Sequence, residues 1–177
     1  MTKELNNAQT RVKKEITWGG RQLSFETGHV ETMADSSIIA RYGDTVVLAT
    51  VCSAPAKEDL GYFPLSVEFE EKFYASGRIS GSRFIKREGR PTESAILAGR
   101  LIDRSIRPLF PKDYFNQVQV IVTVLSYDNE NDPDNLGLIA ASMELKSSSV
   151  PWNGPVASAR VGLRNGELIL NPTKKEF

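Results

Sequence analysis

The chain has 177 residues, of which 40% are hydrophobic and 8% aromatic, which is enough for the core of one folded domain. Its 22 basic and 22 acidic residues balance, so the overall charge gives no indication of a polyanionic partner. The single cysteine excludes an internal disulfide and is typical of a reducing compartment. Because Cys52 lies in an apolar run, it is predicted to be a buried, unreactive thiol.

The start of the chain shows no targeting signal. Residues 1–16 contain no apolar run of signal-peptide or membrane-anchor length, and Glu4 and Glu15 stand where a transit peptide avoids acids. The sequence therefore predicts a cytoplasmic protein that has no membrane partner. Residues 1–11 are predicted to be a flexible N-terminal segment, and residues 12–177 to be one domain.

Alternating apolar residues, β-branched runs and turn residues indicate strands through most of the chain. Gly19-Gly20 and Gly43-Asp44 are expected to form tight turns between the first strands. Strands are predicted at residues 12–18, 22–27, 36–42, 45–52, 63–73, 118–125, 156–163 and 167–170.

Two helices are predicted among these strands. The first begins at its cap Thr92, with Glu93 in its first turn, and runs to about Arg107, where Pro108 stops it. The second spans residues 134–147. This order of elements predicts an α+β fold with both helices on one face of the sheet.

Positive charge is concentrated between Lys72 and Arg107, where nine basic and three acidic residues give a net charge of +6. Within this stretch, residues 74–91 are predicted to be a long mobile loop that contains three glycines. Its Arg83, Lys86, Arg87 and Arg90 alternate with Phe84, a combination that suits binding to phosphates and stacking on bases.

On the first helix, Arg100, Arg104 and Arg107 follow the i, i+4, i+7 spacing that places side chains on one stripe. An anionic partner would relieve their mutual repulsion. The opposite side of the helix is expected to face the core through Ala98, Leu101, Ile102 and Ile106. From the residues alone, single-stranded nucleic acid, a phosphorylated metabolite and a plain solvated surface all stay open.

Other site types are disfavoured. Asp128, Glu130, Asp132 and Asp134 are predicted to form a turn that leads into the second helix, because Pro133 stands where a calcium loop needs glycine. His29 is the only histidine, so no second histidine is available for a zinc site, and no Ser or Cys partner is evident for a catalytic triad; both site types are excluded.

Residues 77–91 (GRISGSRFIKREGRP) and 100–111 (RLIDRSIRPLFP) carry a specific resemblance. Together with shorter stretches from residue 25 to residue 173, they resemble the first RNase PH-like core of the polynucleotide phosphorylase family. The resemblance implies an RNase PH-like mixed sheet and a phosphorolytic 3′-to-5′ exoribonuclease that shortens single-stranded RNA, in mRNA turnover, with release of nucleoside diphosphates.

The resemblance further implies that the full-length enzyme uses Mg²⁺ and inorganic phosphate, forms a homotrimeric ring, and has partners in RNA-degradation complexes. A non-catalytic ring subunit of an exosome-like assembly, or an RNase PH that trims tRNA ends, are the alternatives. The residues expected to bind RNA are Arg78, Arg83, Phe84, Lys86, Arg87, Arg90, Arg100, Arg104 and Arg107.

The chain also departs from the family pattern. The frequent Phe-Phe-Arg-Arg motif appears as Phe84-Ile85-Lys86-Arg87, and the loop is one residue longer around residues 80–83. The family's phosphate site and metal-binding carboxylates belong mainly to a second core. The sequence therefore predicts a truncated first core, incomplete at its C-terminus and inactive by itself, and no catalytic residue is assigned.

Overall fold

A computed structural model describes residues 11–28, 30, 33–56, 61–79, 81, 84, 89–173 and 175–176. The strands are β1 (Val12–Trp18), β2 (Arg21–Thr27), β3 (Ser36–Tyr42), β4 (Thr45–Ala54), β5 (Leu65–Glu71), β6 (Gln117–Ser126), β7 (Val161–Arg164) and β8 (Glu167–Leu170). The helices are α1 (Glu93–Ile106) and α2 (Pro133–Ser147), and short 3₁₀ helices cover Phe73–Ser76 and Arg107–Leu109.

Six strands form one mixed sheet in the order β1-β2-β3-β4-β6-β5, and β7 and β8 form a separate hairpin. The first four strands pair antiparallel with their neighbours, and β4 pairs antiparallel with β6. The edge strand β5 runs parallel to β6. A parallel pair needs a long crossover connection, and α1 provides it.

Both helices cover the same face of the sheet. Phe69 of β5 lies beside Val122 of β6 in the register, and a Cβ added at Gly137 of α2 would lie 2.8 Å from the Phe69 ring. A Cβ added at Gly99 of α1 would approach the Cβ of Phe69 at 3.7 Å. The two glycines therefore let both helices pack closely on one side chain, and the predicted α+β arrangement is confirmed.

The opposite face of the sheet carries the one cysteine. Val51 and Val120 point to the helices and are fully buried, whereas the next residue of β4, Cys52, lies opposite Gln119 and is exposed. The prediction of a buried thiol was wrong, because the apolar run around Cys52 belongs to a strand with only one covered face.

The predicted strands agree with the structure to within two residues at each end, except at the start of β7. The strand predicted at 63–73 spans Leu65–Glu71, and Phe73 lies in a 3₁₀ helix. The strand predicted at 156–163 begins only at Val161. Residues before it are held to α2 by side chains, since the Val156 N–H donates to Ser142 Oγ at 2.7 Å.

Neither described helix is long and apolar enough to cross a membrane. Residues 1–10 lie outside the described residues, so the flexible N-terminal segment stays a prediction. His29 is also outside them.

Candidate nucleic-acid interface

The start of α1 is fixed to the end of β5. Thr92 caps the helix as predicted, because its hydroxyl oxygen accepts a hydrogen bond from the Ala95 N–H at 3.1 Å. The same hydroxyl donates to Glu71 Oε2 at 2.6 Å. The positive end of the helix dipole is thereby held at one position beside the edge strand.

The 3₁₀ helix Phe73–Ser76 follows β5 directly and occupies the start of the predicted loop. Gly77 ends it with a φ of 69°, a conformation that favours glycine, and the Arg78 N–H donates to the Phe73 carbonyl at 3.0 Å. The Tyr127 N–H donates to the Ala75 carbonyl at 2.8 Å, which fixes this turn to the end of β6. The backbone at Arg78 is therefore held in an ordered turn beside the end of the sheet.

Arg78 and Arg90 line one cleft of about 760 Å³ between this 3₁₀ helix and the N-terminal ends of α1 and α2. Both side chains are exposed, and neither has an ion-pair partner among the described residues. The volume falls within the range of protein ligand sites. Two arginines from the predicted set therefore converge on one open cleft.

Carboxylates also line this cleft. Glu70 pairs with Lys72 at 2.7 Å, Glu71 accepts from the Thr92 hydroxyl, and Asp132 pairs with Arg160. A further carboxylate on the wall belongs to Asp134, in the first turn of α2. The wall is therefore mixed in charge, with four carboxylates and three cationic side chains, and of the cations only the two arginines have no ion-pair partner among the described residues.

A second cleft of about 420 Å³ adjoins the first, since Glu70 and Pro91 line both. It follows the line between β5 and α1, and Arg100 and Arg107 are on its wall. We call the two clefts together the basic groove. Arg104 is exposed on α1 but lines neither cleft, so the predicted stripe of three arginines is only partly brought to the groove.

Arg107 differs from the other described arginines of the predicted RNA-binding set, because the protein itself engages its guanidinium group. It pairs with Asp103 at 2.5 Å and donates to the carbonyl oxygens of Phe63 at 3.3 Å and Leu65 at 3.1 Å. This side chain joins the end of α1 to the start of β5. Its predicted role in RNA binding therefore competes with a structural one.

Leu101 does not face the core, contrary to expectation. It is 48% exposed, whereas Ala98, Ile102 and Ile106 are buried as predicted. Among the strands of the sheet, the helix packs chiefly on the edge strand β5, through a narrow stripe of small and branched residues. The side of α1 that carries Leu101 and the 63% exposed Leu97 is therefore not covered by the sheet and faces solvent.

Of the remaining predicted residues, the structure describes Phe84, which is 90% exposed. Arg83, Lys86 and Arg87 lie outside the described residues, so their contribution to binding stays a prediction. Phe73, which the sequence placed in a strand, is an unpredicted member of the cleft wall.

The acidic turn before α2 is a structural feature. Asp132 caps the helix by accepting from the Asp134 N–H at 3.1 Å, so the acidic residues form a turn that leads into the helix, as predicted. Asp128 accepts from the N–H groups of Glu130 and Asn131 at 2.8 and 2.7 Å and from the Thr45 hydroxyl at 3.0 Å. Burial opposes ionisation of Asp128, but these hydrogen bonds outweigh it and lower its pKa to about 2.

Comparison with known proteins assigns this arrangement to a family. The sequence profile of the 3′ exoribonuclease family, domain 1, matches residues 19–151. The chain belongs to the 3′ exoribonuclease family. The matched residues include the whole basic groove, both helices and five of the six strands of the main sheet; only β1 lies outside the match.

Curated relatives of this family member are polyribonucleotide nucleotidyltransferases, which confirms the predicted resemblance. The chain is 57% identical to the protein from Acidiphilium cryptum over 166 residues, which cover 93% of this chain and 23% of that protein. It is 56% identical to the protein from Bradyrhizobium sp. (strain ORS 278) over 169 residues, which cover 95% and 23%. The chain therefore spans less than a quarter of the length of these relatives.

Solved structures of low sequence identity confirm the RNase PH-like fold. Rice Rrp46 superposes with a TM-score of 0.67 at 17% identity, covering 98% of this chain and 73% of that protein. The Archaeoglobus fulgidus exosome with RNA bound to the active site gives a TM-score of 0.65 at 19% identity, covering 88% and 68%. At these identities the likeness concerns the fold alone.

Proposed function

We propose that this chain is the RNA-binding first core of a phosphorolytic 3′-to-5′ exoribonuclease that degrades single-stranded RNA in the cytoplasm as part of mRNA turnover. The observation that carries the proposal is its similarity, over nearly its whole length, to polyribonucleotide nucleotidyltransferases. This similarity favours the proposal over an exosome-like ring subunit or a tRNA-trimming enzyme, whose support is a shared fold.

The basic groove supplies the binding chemistry. Arg78 and Arg90 are solvent-accessible guanidinium groups that neutralise phosphates and release the counterions bound to the RNA. Since these contacts reach phosphates and not base edges, binding is expected to tolerate any sequence.

Arg100 extends the path of a bound strand from the first cleft into the second. It is exposed on α1 without an ion-pair partner among the described residues. A strand that follows the groove would pass the N-terminus of α1 and then continue along its side. Phe84, Lys86 and Arg87 are proposed to hold the same strand from the loop.

In the reaction proposed for the longer protein, inorganic phosphate attacks the phosphorus of the terminal phosphodiester and the bond from that phosphorus to the preceding 3′ oxygen breaks. The products are a nucleoside diphosphate and an RNA that is one nucleotide shorter and ends in a 3′ hydroxyl. Mg²⁺ supplies charge neutralisation when bound. Within the described part of this chain, no group of three or more histidine, cysteine, aspartate or glutamate side chains is placed to hold a metal ion. By family resemblance the phosphate site and the metal-binding carboxylates belong mainly to a second core, so we assign these residues to binding and orienting RNA, and no catalytic step to them. A homotrimer and RNA-degradation partners are proposed for the longer protein on family resemblance.

Replacing both cleft arginines tests the proposal. The variant Arg78→Ala/Arg90→Ala is expected to bind an oligouridylate at least about tenfold more weakly at low salt, measured by fluorescence anisotropy. The slope of log affinity against log salt concentration should become shallower by roughly 0.7 for each phosphate that is no longer neutralised. The matched control is Lys112→Ala/Lys146→Ala, which removes two exposed cations outside the groove. Equal affinity and equal salt slope in both variants would contradict the proposal.

A further inference from the structure

An aromatic ring stands beside the two cleft arginines. Phe73 lines the first cleft together with Arg78 and Arg90, and 47% of its surface is exposed. A phenylalanine that serves only the core is usually buried, because exposing the ring to water is unfavourable. The sequence does not indicate this placement, since the apolar alternation of the preceding strand includes residue 73.

The position of Phe73 is set by ordered backbone. Its carbonyl oxygen accepts from the Arg78 N–H at 3.0 Å, so the aromatic residue and the arginine are two ends of one turn. The same turn is fixed to β6 by the hydrogen bond from the Tyr127 N–H to the Ala75 carbonyl. An aromatic residue on an ordered turn, which lines the same cleft as exposed guanidinium groups, offers the two contacts by which proteins hold single-stranded nucleic acid without reading its sequence.

We propose that Phe73 stacks on a base of single-stranded RNA whose neighbouring phosphates are bound by Arg78 and Arg90. This inference rests on the proposed function and adds a residue with a different role. The arginines bind the backbone of any polyanion, whereas the ring requires a base. The cleft therefore distinguishes a nucleic acid from other chains of phosphates.

Two probes separate stacking from a structural role of Phe73. One is an oligouridylate of about ten nucleotides, and the other is an abasic ribose-phosphate oligomer of the same length. Phe73→Leu removes the ring and keeps an apolar side chain of similar size. It is expected to weaken binding of the oligouridylate about tenfold and to leave binding of the abasic oligomer unchanged.

Two further variants sharpen the test. Phe73→Trp keeps an aromatic face and should retain the affinity for oligouridylate within about twofold, with quenching of the new indole by the oligouridylate and not by the abasic oligomer. Tyr74→Leu is the matched control, because Tyr74 is 58% exposed on the same 3₁₀ helix but does not line the cleft. It should change neither affinity.

Three outcomes would overturn the stacking role. They are an equal loss on both probes in Phe73→Leu, an unchanged affinity for oligouridylate in that variant, and a loss in Tyr74→Leu as large as in Phe73→Leu. Failure of the proposed function itself is distinguishable, since wild-type protein would then bind neither probe, or would bind both without depending on Arg78 and Arg90.

Discussion

Two charged regions of this molecule lie close together and differ in how their charges are satisfied. In the acidic turn of residues 128–134, Asp128 accepts hydrogen bonds from two backbone N–H groups and from Thr45 and Asn131 side chains. In the basic groove, Arg78 and Arg90 have no ion-pair partner among the described residues. Along the sequence the acidic turn is the more densely charged, with four acids in seven residues against nine basic residues among the 36 from Lys72 to Arg107, so charge density alone does not mark the binding region.

The difference shows whether a charge contributes to the free energy of folding or to the free energy of binding. A partly buried carboxylate must be hydrogen-bonded inside the protein, because its loss of hydration is otherwise uncompensated. An exposed guanidinium group keeps its hydration and its freedom until a ligand arrives. Substitutions in the acidic turn are therefore expected to lower stability, and those in the groove to lower affinity for RNA.

The largest effect is expected for Asp128→Ala. Removing this carboxylate leaves several donors without an acceptor, and a Cβ at neighbouring Gly43 would lie only 3.0 Å from its Oδ2, so the site is tightly packed. The free energy of unfolding should fall by about 4 kcal/mol, measured by urea denaturation. Asp113→Ala, an exposed aspartate, is the control and should change it by less than about 0.5 kcal/mol.

The same substitution has a pH signature. The pKa of Asp128 is lowered from 3.8 to about 2, so its ionised form stabilises the fold above pH 3.8 and this contribution is lost as the pH falls towards 2. The stability difference between wild type and Asp128→Ala should shrink in that window. A difference that is independent of pH would show that the charge of Asp128 does not contribute.

Glu144 is the counterpart of Asp128, because it is a carboxylate buried in the protein without adequate hydrogen-bond partners. It is fully buried in α2, and neither carboxyl oxygen makes a hydrogen bond of ordinary geometry within the described structure. Burial raises its pKa to about 7, and the nearby Ser36 hydroxyl offsets only part of that rise. Above pH 7 the ionised group destabilises the fold.

Glu144→Met should therefore stabilise the protein by about 3 kcal/mol above pH 7, measured by urea denaturation. The gain should fall as the pH is lowered from about 7 to 4.5, where wild-type Glu144 is neutral. Glu167→Met, at an exposed position of β8, is the control and should show no such pH dependence. A wild-type protein that is more stable than Glu144→Met at high pH would contradict this account.

The smallest effects should come from two arginines of the second cleft. Arg100→Ala is expected to weaken RNA binding about threefold without changing stability, because its guanidinium group has no described ion-pair partner. Arg107→Ala should instead lower the free energy of unfolding by about 1–2 kcal/mol, since Asp103 and two carbonyl acceptors are then left without their donor. Salt titrations and urea denaturation of both variants measure the contrast, and a reversal of the two effects would refute it.

The sequence by itself determined the local elements. The turn at Gly19-Gly20, the cap at Thr92 and the acidic turn before α2 are formed by neighbours in the chain, so their signals are local and the structure confirms them. The family resemblance was equally accessible, because residues 77–91 and 100–111 carry it as contiguous motifs.

Only the tertiary structure decided which side chains meet. Four features depend on which faces of the sheet and of α1 are covered. They are the exposure of Cys52, the exposure of Leu101, the ion pair of Arg107 and the position of Phe73 on the cleft wall. Periodicity gives the two faces of a strand or helix but not the number of elements packed on them. Burial is a property of the assembled layers, so a pattern of apolar residues predicts an element more reliably than it predicts that element's surroundings.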